Sequence, residues 1–363
     1  MTAPSPDGRQ ELVLERVERF RRRRPRLTDD VVTLAHGAGG KASAALVDAV
    51  FLEAFRNDAL AELGDGAVLS LPGGERIALS TDSYVVRPRR FPGGSIGSLA
   101  VHGTVNDLAV CGARPAWLSA AFVLEEGLPV AELEAVVADM AQAADAAGVA
   151  VVTGDTKVVD TGAADGLFIT TAGLGVVPAG RELSAQHVRP GDVVLVSGTI
   201  GDHGIAVMLA RGDLDLEADV RSDTAPLNGL VEQLLAAAPQ TRWLRDPTRG
   251  GVGTVCNELA AAAGVAVVLQ EAALPVDRAV NGACDLLGID PLYVANEGKL
   301  VAVVPADQAD AGLAALRSHP LGARAAVIGR IAAAPERIVL LETSFGGTRI
   351  VDMLVGDPLP RIC

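Results

Sequence analysis

The stretch VAELEAVVADMAQAADAAGVAVVT (Val130–Thr153) reads as a helix running into a strand. Val130, Leu133, Val137, Met140 and Ala144 recur at helical spacing, and Gly148 stops the pattern. Val149–Thr153 follows as a short β-rich run. Ala78–Thr81 and Leu167–Thr171 are further runs of this kind, and a second helix is expected after Gly97, through Leu99–Cys111. Strands that alternate with helices predict an α/β domain.

Further along, the pattern breaks at Pro178, Gly180, Pro190 and Gly191, which marks a domain boundary near Val177–Pro190. A second set then begins, with strands expected at Val193–Ser197, Val265–Leu269 and Leu300–Val304 and helices at Gly204–Arg211 and Gly250–Ala263. The two halves share a loose plan of strand, Gly-rich turn and helix, without a close repeat. The expected division is a terminal extension (1–30), a first domain (31–180), a second (181–345) and an extended tail (346–363). The extension carries the run Arg21–Arg24 and reads as a solvated face, or as a weak docking site for an acidic partner. The tail closes on Gly356-Asp-Pro-Leu-Pro-Arg-Ile-Cys363, and its eight residues, if extended, reach about 25 Å.

The 363 residues exceed what one compact core usually holds. With 49% apolar and 21% charged residues, this is globular material. The net charge of −14 argues against sequence-independent nucleic-acid binding, which needs a basic surface. No apolar run approaches the roughly 18 residues of a membrane span. Met1–Arg24 has no apolar core for export, so a cytoplasmic location is expected. The cysteines at 111, 256, 284 and 363 have neither disulfide-framework nor zinc-site spacing. The first three read as small core residues, whereas Cys363 ends the chain.

Several groups could carry chemistry. Asp65, Asp82, Asn106-Asp107 and Asp155 each flank an apolar run. Converging carboxylates without His or Cys suit Mg²⁺ held together with phosphate oxygens, although a single Asp in a turn more often serves as a cap. His36-Gly37-Ala38-Gly39-Gly40-Lys41 precedes a helical pattern and could bring backbone N–H groups to a phosphate, or be a plain turn. In Arg245–Gly253, Asp246 reads as a helix cap or a ligand. Arg249 is unfavourable for a helix N-terminus and so points to an anion or carboxylate partner. Lys157, expected just past a strand, is a surface charge or a clamp, and Glu297 and Lys299 sit in Ala295–Val301. A thiol at the tip of a proline-stiffened tail could visit both a partner and its own protein.

Together these motifs resemble the HypE family, the carbamoyl dehydratases of nickel–iron hydrogenase maturation. The stretches that carry the resemblance are His36–Lys41 (HGAGGK), Thr81–Val110, Val152–Val159 (VTGDTKVV), Ser197–Gly204 (SGTIGDHG), Arg245–Val255 (RDPTRGGVGTV), Ala295–Val301 (ANEGKLV), His319–Gly322 (HPLG) and the terminal Pro360–Cys363 (PRIC). It covers residues 31–363, and PRIC at the very end is the most specific element. The family's superfamily also holds aminoimidazole ribonucleotide synthetase, selenophosphate synthetase and thiamine-phosphate kinase. Two departures are the extension before residue 31 and His102, where a small residue or Cys is expected.

The resemblance implies a two-domain α/β (α+β) fold of the aminoimidazole ribonucleotide synthetase type. The first sheet would form a barrel with that of a second copy, and ATP and Mg²⁺ would lie between the domains. It implies Asp65, Asp82, Asp107 and Asp246 as metal ligands and the 36–41 loop (His36, Gly37, Gly39, Gly40, Lys41) over the phosphates, with Asn106, Asp155 and Arg249 also at the nucleotide. Lys157 and Glu297 would lie near the reacting group, either one as base, and Cys363 would be the acceptor thiol. A carbamoyltransferase would load that thiol, and an iron-carrying scaffold complex would receive the cyano group. ATP-dependent loss of water from a thiocarboxamide fits these residues, since a phosphorylated amide oxygen can depart. Rival readings are a phosphotransferase acting on a free small molecule and a non-enzymatic thiol carrier.

Overall fold

The structure is a computed structural model that describes residues 26–212, 218–354, 356 and 362–363. The Arg21–Arg24 run and the two prolines of the tail lie outside the described residues. Two sheets organise the rest, one on each side of the stretch 178–192.

The first sheet contains β1 (Ala67–Ser70), β2 (Arg76–Tyr84), β5 (Arg114–Glu125), β6 (Ala150–Val159) and β7 (Leu167–Val177) in the order β1-β2-β7-β5-β6. A two-stranded hairpin, β3 (Arg90–Phe91) with β4 (Gly94–Ser95), stands beside it. Only β5 and β6 are parallel. They are joined by the helix Val130–Ala147, so the stretch quoted first is the crossover of a β-α-β unit, which parallel strands require.

Two helices cover this sheet: α2 (Ile96–Val110) and α3 (Val130–Ala147), after an earlier α1 (Lys41–Leu46). In α2, Ser95 caps the N-terminus, and every residue except Ser98 is buried. A helix apolar on all sides belongs in an interior. The buried face of α3 is Val136, Met140, Ala143, Ala144 and Ala147, whereas Val130 and Val137 are exposed. The face expected from the leucine and valine spacing is therefore rotated. Gly97 is what lets α3 approach α2 closely, because a Cβ on it would lie 2.4 Å from the Val136 carbonyl oxygen.

The second sheet is built from β8 (Val193–Val196), β9 (Trp243–Arg245), β10 (Ala266–Gln270), β11 (Val301–Val304), β12 (Ala326–Ala332), β13 (Ile338–Glu342) and β14 (Thr348–Val351). Their order is β14-β13-β10-β12-β8-β11-β9, antiparallel except for β10 with β13. Both sheets are thus mixed, and the α+β description is the closer one. Helices α5 (Asn228–Ala237), α6 (Gly251–Ala263) and α8 (Ala309–Ser318) pack on the second sheet, whereas α4 (Asp202–Arg211) and α7 (Arg278–Leu287) join the apolar cluster of the first.

The end of α2 also belongs to the second unit. Ala109 and Val110 pack with Leu227, Leu230 and Leu244 in one apolar cluster. On the opposite side, Leu79, Trp117 and Val176 of the first sheet are nearly half exposed. No helix among the described residues is long and apolar enough to cross a membrane.

The α2–α3 crossing predicts a pair of outcomes. Gly97→Ala should destabilise the chain by about 1–3 kcal/mol in a urea melt, because backbone must move. Gly229→Ala, in α5, meets only a His319 ring nitrogen at 3.5 Å and should be neutral or stabilising.

Candidate active site

An acidic cluster lies where the two units meet. Asp65 precedes β1, Asp107 sits in α2, and Asp246 directly follows β9. Each offers a carboxylate oxygen, and these lie within 4.8 Å of one another. The Ser80 hydroxyl donates to Asp107 Oδ2 at 2.6 Å. Arg245 spans the cluster's edge, with Nε 2.8 Å from Asp65 Oδ1 and Nη2 3.1 Å from Glu258 Oε2. Burial lifts the Asp65 and Asp107 carboxyls well above the usual range and pushes Asp246 up to about 6, with Arg245 opposing the rise at Asp65 and Asp246. So many buried carboxylates with one cation beside them form a hard, all-oxygen donor set short of positive charge, which suits Mg²⁺. Asp82, on β2, is outside this trio but close enough to raise the carboxyls of Asp65 and Asp107. Asp246 is not a helix cap, since Gly250 precedes α6.

Next to the acids is a second group. Glu297 is 3% exposed, and its Oε1 is buried without a hydrogen-bond partner. Burial holds its carboxyl well above the usual range, Asp246, Asp223 and Asp82 add to this, and Arg249 opposes. The Arg249 guanidinium is kept charged first by Cys363, then by Asp82 and Glu297. The Tyr84 hydroxyl donates to Asp82 Oδ2 at 3.2 Å. Lys299 Nζ pairs with Asp223 Oδ2 at 3.1 Å, and Asp223 Oδ1 accepts from the Glu297 backbone N–H at 3.0 Å. Gly298 permits this, because a Cβ there would fall 1.8 Å from the Asp223 carbonyl oxygen.

Asn106 is fully buried in α2. Its Nδ2 donates to the carbonyls of Ala225 and Glu297, each at 3.1 Å, and its Oδ1 accepts from Leu227 N–H at 2.7 Å. Both amide hydrogens are thereby committed. The structure makes Asn106 the holder of the Glu297 backbone rather than a group turned toward a nucleotide.

The glycine loop sits over the same region. Arg249 Nη1 donates to the Gly37 carbonyl at 2.9 Å, and a Cβ on Gly39 would meet the Arg249 carbonyl oxygen at 2.9 Å. Gly40 abuts the Leu354 carbonyl, which accepts from Lys41 N–H at 2.9 Å. Lys41 Nζ pairs with Asp352 Oδ2 at 2.7 Å. His36 is buried, with Nδ1 accepting from Thr33 N–H and Nε2 3.4 Å from Asp29. The chain terminus reaches the site as well: Val85 N–H donates to a Cys363 carboxylate oxygen at 3.0 Å, and His203 Nε2 lies 2.6 Å from the Ile362 carbonyl.

Two expected residues are placed elsewhere. Asp155 and Lys157 lie inside β6, not past a strand end, because β6 continues to Val159 alongside β5 with Ala121 opposite Asp155 and Val123 opposite Lys157. They pair with each other at 2.7 Å, and both are exposed on the sheet's edge strand, away from the buried surroundings of Glu297. Several participants escaped the sequence reading. Tyr84 and His203 stand within quoted motifs without a charge pattern to mark them, and Asp223 lies in a loop with no motif at all. His102, the unexpected residue, is buried, bonds Thr224 Oγ1 through Nδ1 at 3.0 Å, and is pushed down to about 4 by burial.

Comparison with known proteins gives the family and the fold. The family models for the AIR synthase related protein match residues 63–177 (N-terminal domain) and 189–341 (C-terminal domain). The chain is 56% identical over 339 residues to the carbamoyl dehydratase HypE of Rhodobacter capsulatus, covering 93% of this chain and 99% of that protein. Among solved structures, a HypE–HypF complex matches with a TM-score of 0.81 at 47% identity, over 85% of this chain and all of the matched chain. HypE in complex with ATP matches with a TM-score of 0.77 at 48% identity, over 92% of this chain and all of that one.

The His203 contacts give a pH prediction. The ring is fully buried, and burial holds it below its usual range. A base depressed in the folded state binds its proton first in the unfolded state, so its stabilising contribution is complete above about pH 6.5 and declines as the pH falls below that. The stability difference between the native chain and His203→Gln, from urea melts, should therefore shrink from pH 7.5 to pH 5. Taking the difference cancels the raised carboxyls, which favour folding at low pH.

Proposed function

The chain belongs to the HypE family of AIR synthase related proteins, and from that premise we propose that it dehydrates a thiocarboxamide on its own terminal cysteine to a thiocyanate, with ATP as co-substrate. It is a carbamoyl dehydratase of hydrogenase maturation. The observation that supports Cys363 as the acceptor is the docking of the chain's own terminus beside Arg249, the cation that Glu297 and Asp82 also face. A phosphotransferase acting on a free molecule has no use for that contact.

The chemistry follows from the groups present. The partner carbamoyltransferase leaves S–C(=O)–NH₂ on Cys363. The amide oxygen attacks the γ-phosphorus of ATP, ADP departs, and one N–H proton is lost, giving an O-phosphorylated imidate. The second N–H proton then leaves as the C–O bond breaks, so that inorganic phosphate carries the oxygen away and C≡N remains. Glu297 is the base for that proton, since a buried carboxylate with a raised pKa is strongly basic once ionised. Arg249 stabilises the charge that builds on the transferring phosphoryl. Mg²⁺ held by Asp65, Asp107 and Asp246, with Asp82 beside them, would neutralise phosphate oxygens. The 36–41 loop would cover the phosphates, with its His36, Ala38, Gly39 and Lys41 N–H groups bonded within the chain. The cyano group then passes to iron on a scaffold complex.

Two copies would complete this enzyme. The half-exposed Trp117, Leu79 and Val176 face, together with Val123 (36% exposed), which pairs with the edge strand β6, forms an apolar surface suited to a second sheet. Lys157 shares that edge strand, so it would serve the site of the partner copy rather than its own.

Two experiments test these assignments. In the first, the protein is loaded with carbamoyl phosphate, ATP and the carbamoyltransferase, and the C-terminal peptide is weighed before and after Mg-ATP is added. The native chain should show a carbamoyl adduct on Cys363 that loses one water. Glu297→Gln should hold the adduct with its loss of water slowed about 10²–10⁴-fold. An adduct on another residue would overturn the acceptor assignment. In the second, Lys157→Ala and Glu297→Gln proteins are mixed and allowed to exchange subunits. Activity that neither has alone should return, since one composite site then holds both groups, and no recovery would place Lys157 outside the partner's site.

A further inference from the structure

The last two residues are held by their backbone as much as by their side chains. His203 Nε2 lies 2.6 Å from the Ile362 carbonyl oxygen, in a buried setting. A carbonyl only accepts, so Nε2 carries the proton and Nδ1 accepts from the Ser222 hydroxyl at 2.8 Å. That leaves a neutral ring in one fixed tautomer. Phe91 stands edge-on to it, with centroids 5.5 Å apart and planes at 85°. Ser222 is itself anchored, since its N–H donates to the Pro92 carbonyl at 2.7 Å. The ring is thus locked from both sides before it meets the tail.

The other contacts complete a small receptor. Val85, one residue past the end of β2, donates its N–H to a Cys363 carboxylate oxygen at 3.0 Å. The Ile362 side chain is 4% exposed and joins the apolar cluster that contains Tyr84, Val86, Phe91 and Ile205. Cys363 packs against the same cluster. One donor reads the penultimate carbonyl, one reads the terminal carboxylate, and an apolar pocket takes the branched side chain between them.

We propose that His203 is a positioning residue for the reaction, docking the Ile362–Cys363 terminus through the Ile362 carbonyl so that the loaded sulfur stands at Arg249 and Glu297. This rests on reading Cys363 as the acceptor. The ring touches neither the thiol nor any reacting atom. It acts by raising the fraction of time the terminus spends docked. Losing one buried hydrogen bond lowers the docking equilibrium constant about 5–100-fold. Ile362 contributes to the same equilibrium through burial of its side chain.

The test uses the full chain and two readouts. Alkylation of Cys363 by iodoacetamide, followed at the C-terminal peptide, reports docking without any chemistry at the site. Single-turnover loss of water from the carbamoyl-loaded protein reports positioning. His203→Phe keeps the ring and its contact with Phe91 but removes the donor. It should raise the alkylation rate of Cys363 and slow the loss of water, the two fold-changes multiplying to about 5–100. His203→Gln, whose amide nitrogen replaces Nε2–H, should recover most of both. Ile362→Ser, which leaves the folded body intact, should shift both readouts in the same direction as His203→Phe. His203→Phe and Ile362→Ser with native alkylation and native turnover would overturn the proposal. So would a slow His203→Phe that Gln does not rescue. If Cys363 were not the acceptor, alkylation would still respond while no adduct formed there, so the two failures are distinguishable.

Discussion

Helix α2 has almost no contact with water, and that constraint organises the site. A helix buried on every side must have its polar residues satisfied by protein. Asn106 and Asp107 are the two such residues near its C-terminal end. Asn106 meets the demand with hydrogen bonds to Ala225, Leu227 and Glu297, all from the second unit. Asp107 meets it with Ser80 and with its place beside Asp65 and Asp246. Packing two units around this helix therefore places Glu297 on one side of its end and the acidic cluster on the other. The proposed base and the proposed metal ligands are positioned by the same turn of helix.

The electrostatics follow from that arrangement. Asp65, Asp82, Asp107, Asp246 and Glu297 all have raised carboxyls, and the cations among them are Arg245, Arg249 and the Lys299 paired with Asp223. The carboxylates leave the site short of positive charge, which a divalent cation held by Asp65, Asp107 and Asp246 would supply. Arg249 also bonds the glycine loop and faces Cys363, so loop and tail meet at one guanidinium. Lys41 and Asp352 extend this link, because the loop that would cover the phosphates pairs with the root of the tail.

Much of this was legible in the sequence. Helical spacing and the stop at Gly148 located α3, and the β-rich runs located parts of β2, β6 and β7. The acids were visible as Asp residues beside apolar runs. Other features depend on contacts that spacing does not encode. The buried face of α3 includes Ala143, Ala144 and Ala147, and an apolar-residue pattern gives alanine little weight. The full length of β6 comes from pairing with β5, so Asp155 and Lys157 looked like turn residues when they are strand residues. Asn106 read as a ligand because its motif sits among ligands, yet the helix around it leaves no route to solvent. Asp223 and His203 act only through partners distant in the chain, the Glu297 backbone and the Ile362 carbonyl. The resemblance carried what the residues alone left open, above all the role of the terminal cysteine.

The central claim is that the amide oxygen departs as phosphate from a tail docked in this site. The most direct test is isotopic: load Cys363 with a carbamoyl group that carries a heavy oxygen isotope, add Mg-ATP, and weigh the inorganic phosphate released in one turnover. The account predicts the heavy oxygen in the phosphate, one atom for each thiocyanate formed. Heavy oxygen recovered in water, with unlabelled phosphate, would contradict it, because ATP would then be cleaved without activating the oxygen that leaves.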